Sequence, residues 1–187
     1  MRIISGEFGG RRLSAVPGMQ TRPTTDKVKE AMFNILNRYP KEGQVLDLYS
    51  GSGGLGIEAV SRGYNHAFLV DHQYAAIKTI KSNVAVTKHS EQFTILKMDA
   101  FKALQYFAKQ QQQFSLVLLD PPYKQQKIMK ILTILDQLHL LTNNAIVLAE
   151  TDTTVDYQTM AHYELVRQQK YGITLVTVFH YIGNNHE

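Results

Sequence analysis

Cysteine is absent from all 187 residues, so neither a disulfide framework nor a thiolate metal site exists in this chain. Long apolar runs are absent too. The strongest are about strand length, far short of the ~20 residues a membrane-spanning helix needs. The opening stretch MRIISGEFGGRRL lacks the apolar centre of a secretory signal. These absences together lead to the expectation of a cytoplasmic protein with no membrane partner. The histidines (His66, His72, His89, His139, His162, His180 and His186) show no metal-ligand spacing, so no metal is expected. Nothing in the sequence demands more than a monomer.

What remains is an ordinary globular composition, 44% hydrophobic and 19% charged, at a length that suits one domain with a real core. The charge is unevenly placed. Residues 1–41 carry eight Lys/Arg (Arg2, Arg11, Arg12, Arg22, Lys27, Lys29, Arg38, Lys41) against three acids (Glu7, Asp26, Glu30), and the rest is near neutral. A basic end on a neutral body points to contact with a polyanion, with Arg11, Arg12, Arg22, Lys27 and Lys29 as candidates; a solvated surface is the plainer alternative.

Local patterns divide the chain near residue 42, giving a single domain over 1–187 made of a basic N-terminal extension (1–42) and a larger core (43–187). RIISGEFGGRRLSAV reads as a short hairpin about Gly-Gly, and TRPTTDKVKEAMFNIL as a helix capped by Thr24, Thr25 or Asp26. From Gln44 onward strands and helices alternate: VLDLY, LGIEAVSRG, HAFLVD, QYAAIKTIKSNVAVTK, FTILKMD, AFKALQYFAKQ, FSLVLLD, KIMKILTILDQL, AIVLAE. Short apolar strands separated by helices predict an α/β fold, a parallel sheet covered on both faces. The tail YELVRQQKYGITLVTVFHY reads as an antiparallel hairpin at the sheet edge.

Gly51, Gly53 and Gly56 in DLYSGSGGLGIEA fit G-x-G-x-x-G after a strand, with Asp71 ending the next strand. That is the dinucleotide fingerprint, and a nicotinamide enzyme is a fair first reading. Asp47 argues against it, because a carboxylate at the strand end would repel a pyrophosphate. The same acid suits S-adenosylmethionine, which carries an ammonium and a sulfonium and no phosphate. Asp71 can then accept from both ribose hydroxyls, and Asp99 from the adenine amino group with the Ala100 amide facing the ring. Helix capping is the plainer role for Asp71 and Asp99.

In FSLVLLDPPYKQQ, Asp120 and Pro121 each precede a proline and are pushed to extended geometry, while both prolines have fixed φ. The elbow is stiff before any substrate arrives. If the first and fourth strands flank the point where winding reverses, it lies beside the glycine loop. The Asp120 carboxylate and Pro121 carbonyl are then two acceptors at fixed separation, suited to an aryl amine with two N–H donors. Pro122 completes the elbow, and Tyr123 can stack on an extruded base for roughly 1–3 kcal/mol.

On these residues the chain resembles the class I methyltransferases with a D-P-P-Y motif. More narrowly, MRIISGEFGGRRL, TRPTTDKVKEAMFNIL, VLDLYSGSGGLGIEA and LVLLDPPY, in that order, resemble the bacterial 16S rRNA guanine-N2 methyltransferase family over essentially the whole chain. The resemblance implies a Rossmann-like, seven-stranded, mostly parallel sheet and S-adenosyl-L-methionine as cofactor. It also implies methylation of one guanine N2 in 16S rRNA or a small-subunit assembly intermediate. It assigns Asp47, Tyr49, Gly51, Gly53, Asp71, Asp99 and Ala100 to the cofactor and Asp120 to Tyr123 to catalysis. It gives Arg22 to Asp26 a contact with the cofactor's methionine end or with RNA. Two departures stand out: Asp71 where a longer Glu is frequent, and a brief TDTTVDYQTM between the fifth and sixth strands. Alternatives with the same chemistry are adenine N6 in DNA and a glutamine amide, the latter disfavoured by an acid at 120. Outside that chemistry stand a silent RNA-binding module and a nicotinamide oxidoreductase, for which no hydride-site constellation is evident.

Overall fold

The computed structural model describes residues 1–18, 25–122, 127–151 and 160–183. Seven strands form one sheet: β1 Gln44–Asp47, β2 His66–Asp71, β3 Phe93–Lys97, β4 Phe114–Leu119, β5 Leu141–Thr151, β6 Tyr163–Tyr171 and β7 Thr174–Tyr181. Among the described residues five α-helices cover it: α1 Asp26–Leu36, α2 Gly54–Ser61, α3 Tyr74–Thr87, α4 Ala100–Lys109 and α5 Ile128–Gln137. None is long and apolar enough to cross a membrane.

The strand order is β3-β2-β1-β4-β5-β7-β6, with β1 to β5 parallel and β7 antiparallel to both neighbours. The expected mostly parallel sheet is therefore present. The C-terminal hairpin differs in one respect: β7 is inserted beside β5, and only β6 forms the edge. Composition explains it. Leu175, Val176, Val178 and Phe179 of β7 are buried, whereas β6 carries Glu164, Arg167, Gln168 and Lys170 in solvent, as suits an edge strand. β5 also begins four residues before the apolar run that announces it. The brief segment before β6 falls largely on 152–159, outside the described residues.

Alternation along each strand sends side chains to two cores. One joins Val45, Leu116, Leu118, Ile146 and Leu148 to α1, α2 and α3; the other joins Leu46, Val117, Leu119, Val147 and Ala149 to α4 and α5. Each large side chain so buried contributes roughly 1.5–3 kcal/mol, and near-continuous apolar strands follow from having helices on both faces.

The N-terminal turn-around is present, but its expected strands are not. Its antiparallel pairing consists of the Arg2–Arg12 bridge and a few backbone bonds, such as Ile3 N–H to the Arg11 carbonyl at 2.9 Å. The remaining amides turn to α2. Ile4 and Ser5 donate to the Glu58 carboxylate, Glu7 to the Ser61 carbonyl, and Phe8 to Ser61 Oγ. With Ile3, Phe8 and Leu13 in the first core, the segment is a loop stitched onto α2.

Candidate active site

β1 and β4 are neighbours, and the chain winds away from them in opposite directions, so the crevice beyond their carboxyl ends is where this architecture binds ligands. The glycine loop leaves β1 there and the Asp120–Pro121–Pro122 elbow leaves β4. The two motifs meet as the sequence led us to expect.

Period-two alternation decides which acids share a face. Asp47 has the parity of Val45, Asp71 that of Leu69, Asp120 that of Leu116 and Leu118, and Glu150 that of Ile146 and Leu148, all members of the first core. The parallel pairs Asp47↔Leu69, Asp47↔Leu118 and Leu119↔Ala149 align the strand ends. Asp71, Asp120 and Glu150 therefore come level on one sheet face across β2, β4 and β5, with Asp47 on the same face of β1 two residues further back. Asp47 is 0% exposed and Glu150 2%.

Asp47 Oδ2 accepts from Gly56 N–H at 2.9 Å, while its buried Oδ1 has no partner among the described residues. Burial, opposed by the Gly56 bond and reinforced by the Asp71 charge, raises the carboxyl to about 7. A Cβ at Gly56 would lie 2.3 Å from Leu69 Cδ2 and 3.2 Å from Asp47 Oδ2, so this glycine is what lets α2 come down onto the acid. Gly51 (φ 52°) and Gly53 (φ 79°) carry the loop through left-handed backbone, the second as the N-cap of α2.

Asp71 holds the loop from the other side, its Oδ2 accepting from Gly51 N–H at 3.0 Å and its Oδ1 from Gln73 N–H at 2.9 Å. Shorter by a methylene than Glu, it reaches both amides. Each oxygen retains a second lone pair for a hydroxyl donor. Asp99 does what its capping alternative requires, Oδ1 accepting from Phe101 and Lys102 N–H at the start of α4. Ala100 is the buried first residue of that helix. Tyr49 is half-buried, its hydroxyl raised to about 12 by burial and by the Asp99 charge, which places the two about one region.

Asp120 follows β4 directly, and its carboxyl is raised well above the usual range by burial, then by the charges of Glu150 and Asp47. Pro121 is buried and Pro122 exposed; no peptide bond is cis among the described residues. Tyr123 lies outside them, as does Arg22.

The basic candidates separate. Arg12 and Lys27 are exposed. Arg11 is partly committed, donating to the Val86 and Thr87 carbonyls at the end of α3 and lying over the Phe8 ring. Lys29 is a correction: it is 1% exposed, paired with Glu58 Oε2 at 3.4 Å and donating to the Arg2 carbonyl. Its spacing from Met32 and Phe33 puts it on the apolar side of α1, so it is closed to RNA. Glu58 also takes Arg62 Nε at 2.7 Å.

Two residues of the site escaped the sequence reading. Glu150 passed as the end of AIVLAE; it is the penultimate residue of β5, and Asp120 is the residue just past β4. Asn83 carried no motif; its amide donates to the Ser14 and Ser52 carbonyls and its oxygen accepts from Ser14 N–H, tying the N-terminal segment to the glycine loop. A polar depression bordered by Ser5, Glu30, Asn34, Lys41 and Arg62 lies at the other end of α2. Among the described residues no cluster of His, Asp or Glu is arranged to hold a metal.

Comparison with known proteins bears on the family and the fold. Residues 1–180 match the family described as Conserved hypothetical protein 95. A Bacillus subtilis protein named "Putative rRNA methyltransferase YlbH" is 43% identical over 96% of this chain and 98% of its own length. A Haemophilus influenzae protein named "Ribosomal RNA small subunit methyltransferase D" is 30% identical over 92% of this chain and 90% of its own. Among solved structures, "Putative methyltransferase yhhF from Escherichia coli" has a TM-score of 0.83 at 29% identity, covering 98% of this chain and 99% of that one. An RNA methyltransferase from Salinibacter ruber in complex with S-adenosyl-L-homocysteine shares the fold at a TM-score of 0.66 and 18% identity, over 89% of this chain and 97% of that one. The chain belongs to the Conserved hypothetical protein 95 family.

Proposed function

We propose that this protein is an S-adenosylmethionine-dependent methyltransferase acting on 16S rRNA, and that the acceptor is the exocyclic N2 of one guanine. The observation that carries the reading is the row of carboxylates at the crevice, beside a glycine loop and a rigid two-acceptor elbow. A pyrophosphate at the glycine loop would meet Asp47 as repulsion. A cationic donor would meet it as attraction.

The residues present fit that donor. The partnerless Asp47 Oδ1 can take the ammonium, Asp71 the ribose diol, and Asp99, Ala100 and Tyr49 the adenine end. When bound, S-adenosylmethionine supplies a methyl group activated by its sulfonium. The chain supplies position and charge. The Asp120 carboxylate and Pro121 carbonyl accept the two N–H bonds of the base amine, drawing its lone pair out of the ring and fixing its direction. The raised basicity of Asp120 suits it to take the proton the nitrogen loses as its new N–C bond forms and the C–S bond breaks. Tyr123 is the stacking platform in this reading, and Arg12, Lys27 and Arg22, with the free part of Arg11, guide the polyanion. A reaction on rRNA takes place in the cytoplasm.

The test is mass spectrometry of nucleosides from 16S rRNA of cells with and without the gene. N2-methylguanosine lost with the gene and restored by the intact protein, but not by Asp120→Ala, is expected. Loss of N6-methyladenosine would redirect the reading to adenine, and an unchanged nucleoside profile would end it.

A further inference from the structure

Glu150 is a buried acid in the row that the cofactor does not require. It ends the apolar run of β5, has the face parity of Asp120, and follows the Leu119↔Ala149 pair, so it comes level with Asp120 on the adjacent strand. Neighbouring strands lie about 4.8 Å apart. The two carboxylates thus border the crevice side by side, close enough that Glu150 is the largest charge acting on Asp120. On its far side Glu150 pairs in register with Val176 of β7.

What edge of a base suits two adjacent carboxylates? Adenine places an acceptor (N1) next to its amine, and cytosine places N3 next to its own. Guanine alone among these presents a ring N–H beside the amine, so its edge is donor next to donor. We infer that Glu150 is a specificity-determining residue, accepting the guanine N1–H while Asp120 and Pro121 accept from N2. This deepens the proposed function and rests on it. Adenine in the same pose would set its N1 lone pair against a carboxylate, the unpaired buried contact that separates substrates most strongly. No proton moves at N1 in this assignment; Glu150 reads the base and leaves the transfer to the elbow.

The test uses 2-aminopurine, which keeps the reacting amine but has an acceptor at N1. Small subunits are reconstituted with 16S rRNA carrying guanine or 2-aminopurine at the methylated position, mapped by mass spectrometry of nuclease fragments of the rRNA. Wild-type enzyme should favour guanine in kcat/KM by about 10- to 100-fold, the worth of one hydrogen bond to a charged acceptor. Glu150→Gln should lose most of its rate on guanine and gain on 2-aminopurine, because the amide N–H₂ can donate to N1, bringing the ratio near or below one. Glu150→Asp should keep the guanine preference at a lower rate. A merely structural Glu150 would lower both rates together. A wild-type ratio in Glu150→Gln, with S-adenosylhomocysteine binding intact, would overturn the inference and leave the proposed function standing. Should that variant fail to fold, equal use of the two bases by wild-type enzyme would overturn it as well. Absence of N2-methylguanosine from the wild-type product would fell the proposed function itself.

Discussion

Protonation of Asp47 should govern cofactor affinity on the acid side of neutrality. In the free protein its carboxyl titrates at about 7, against an ordinary 3.8. Because the folded value is raised, the folded state binds the extra proton. Asp47 therefore favours folding at low pH, and that contribution is lost as pH rises from about 4 to above 7, by about 4 kcal/mol in all. A bound ammonium reverses the balance, since it favours the ionised acid. With a ligand α-amino group titrating near 7.7–8.0, affinity should be greatest between about 7 and 8 and fall about sixfold by pH 6. Calorimetry with S-adenosylhomocysteine in buffers of different ionisation enthalpy measures both the affinity and the proton released on binding. Asp47→Asn should flatten the acid limb, release no proton, and bind more weakly at pH 7.4 than wild type. Its unliganded form should lose the pH dependence of stability between about 4 and 7 that Asp47 confers. The neighbouring acids Asp71 and Asp120 remain in that variant, although Asp120 loses the Asp47 charge that helps to raise it. An affinity in wild type that does not change from pH 6 to pH 7.4, with no proton released, would refute the placement of the ammonium at this carboxylate.

Three further outcomes follow from the geometry. Asp120→Ala should lower kcat by about 10²- to 10³-fold or more while leaving S-adenosylhomocysteine affinity near the wild-type value, checked by single-turnover methylation and calorimetry. Lys29→Ala strands part of a buried ion cluster and should cost about 3 kcal/mol in denaturant unfolding, with the salt dependence of RNA binding unchanged; a reduced slope would mean that Lys29 reaches RNA after all. Charge reversal of the exposed Arg12 and Lys27 should lower that slope by about 0.7 for each phosphate no longer neutralised without changing the melting temperature.

Much of this molecule is legible because parallel α/β architecture leaves a strong local imprint. Strands buried on both faces must be short and apolar throughout, and helices between them must be amphipathic, so FSLVLLD and KIMKILTILDQL announce their own states. The glycine loop and the D-P-P elbow are equally local: the backbone freedom of Gly51 and Gly53 and the stiffness of Pro121 and Pro122 reside in the residues themselves. The capping role was readable for Asp99, which caps α4; Asp71 caps no helix and accepts instead from the Gly51 and Gln73 amides, with lone pairs left for a ligand.

What stayed hidden depends on register and on contacts distant in sequence. AIVLAE shows Glu150 near the end of a strand; nothing in those six letters says that the strand lies against β4, or that Glu150 comes level with Asp120. One residue of slip would turn it to the other face. Lys29 fails for a related reason. Counted with its neighbours it is one more positive charge, but its partner Glu58 is 29 residues away in sequence and reaches it only because the loop from Ile4 to Phe8 binds α2. The N-terminal strands failed because their amides had better acceptors on α2 than on each other. In each case a polar group that the local pattern assigned to solvent or to a strand ladder was satisfied by a distant element. The same cause explains the carboxylate row: no acid in it is unusual by itself, and only the winding order of the strands brings four of them to one edge.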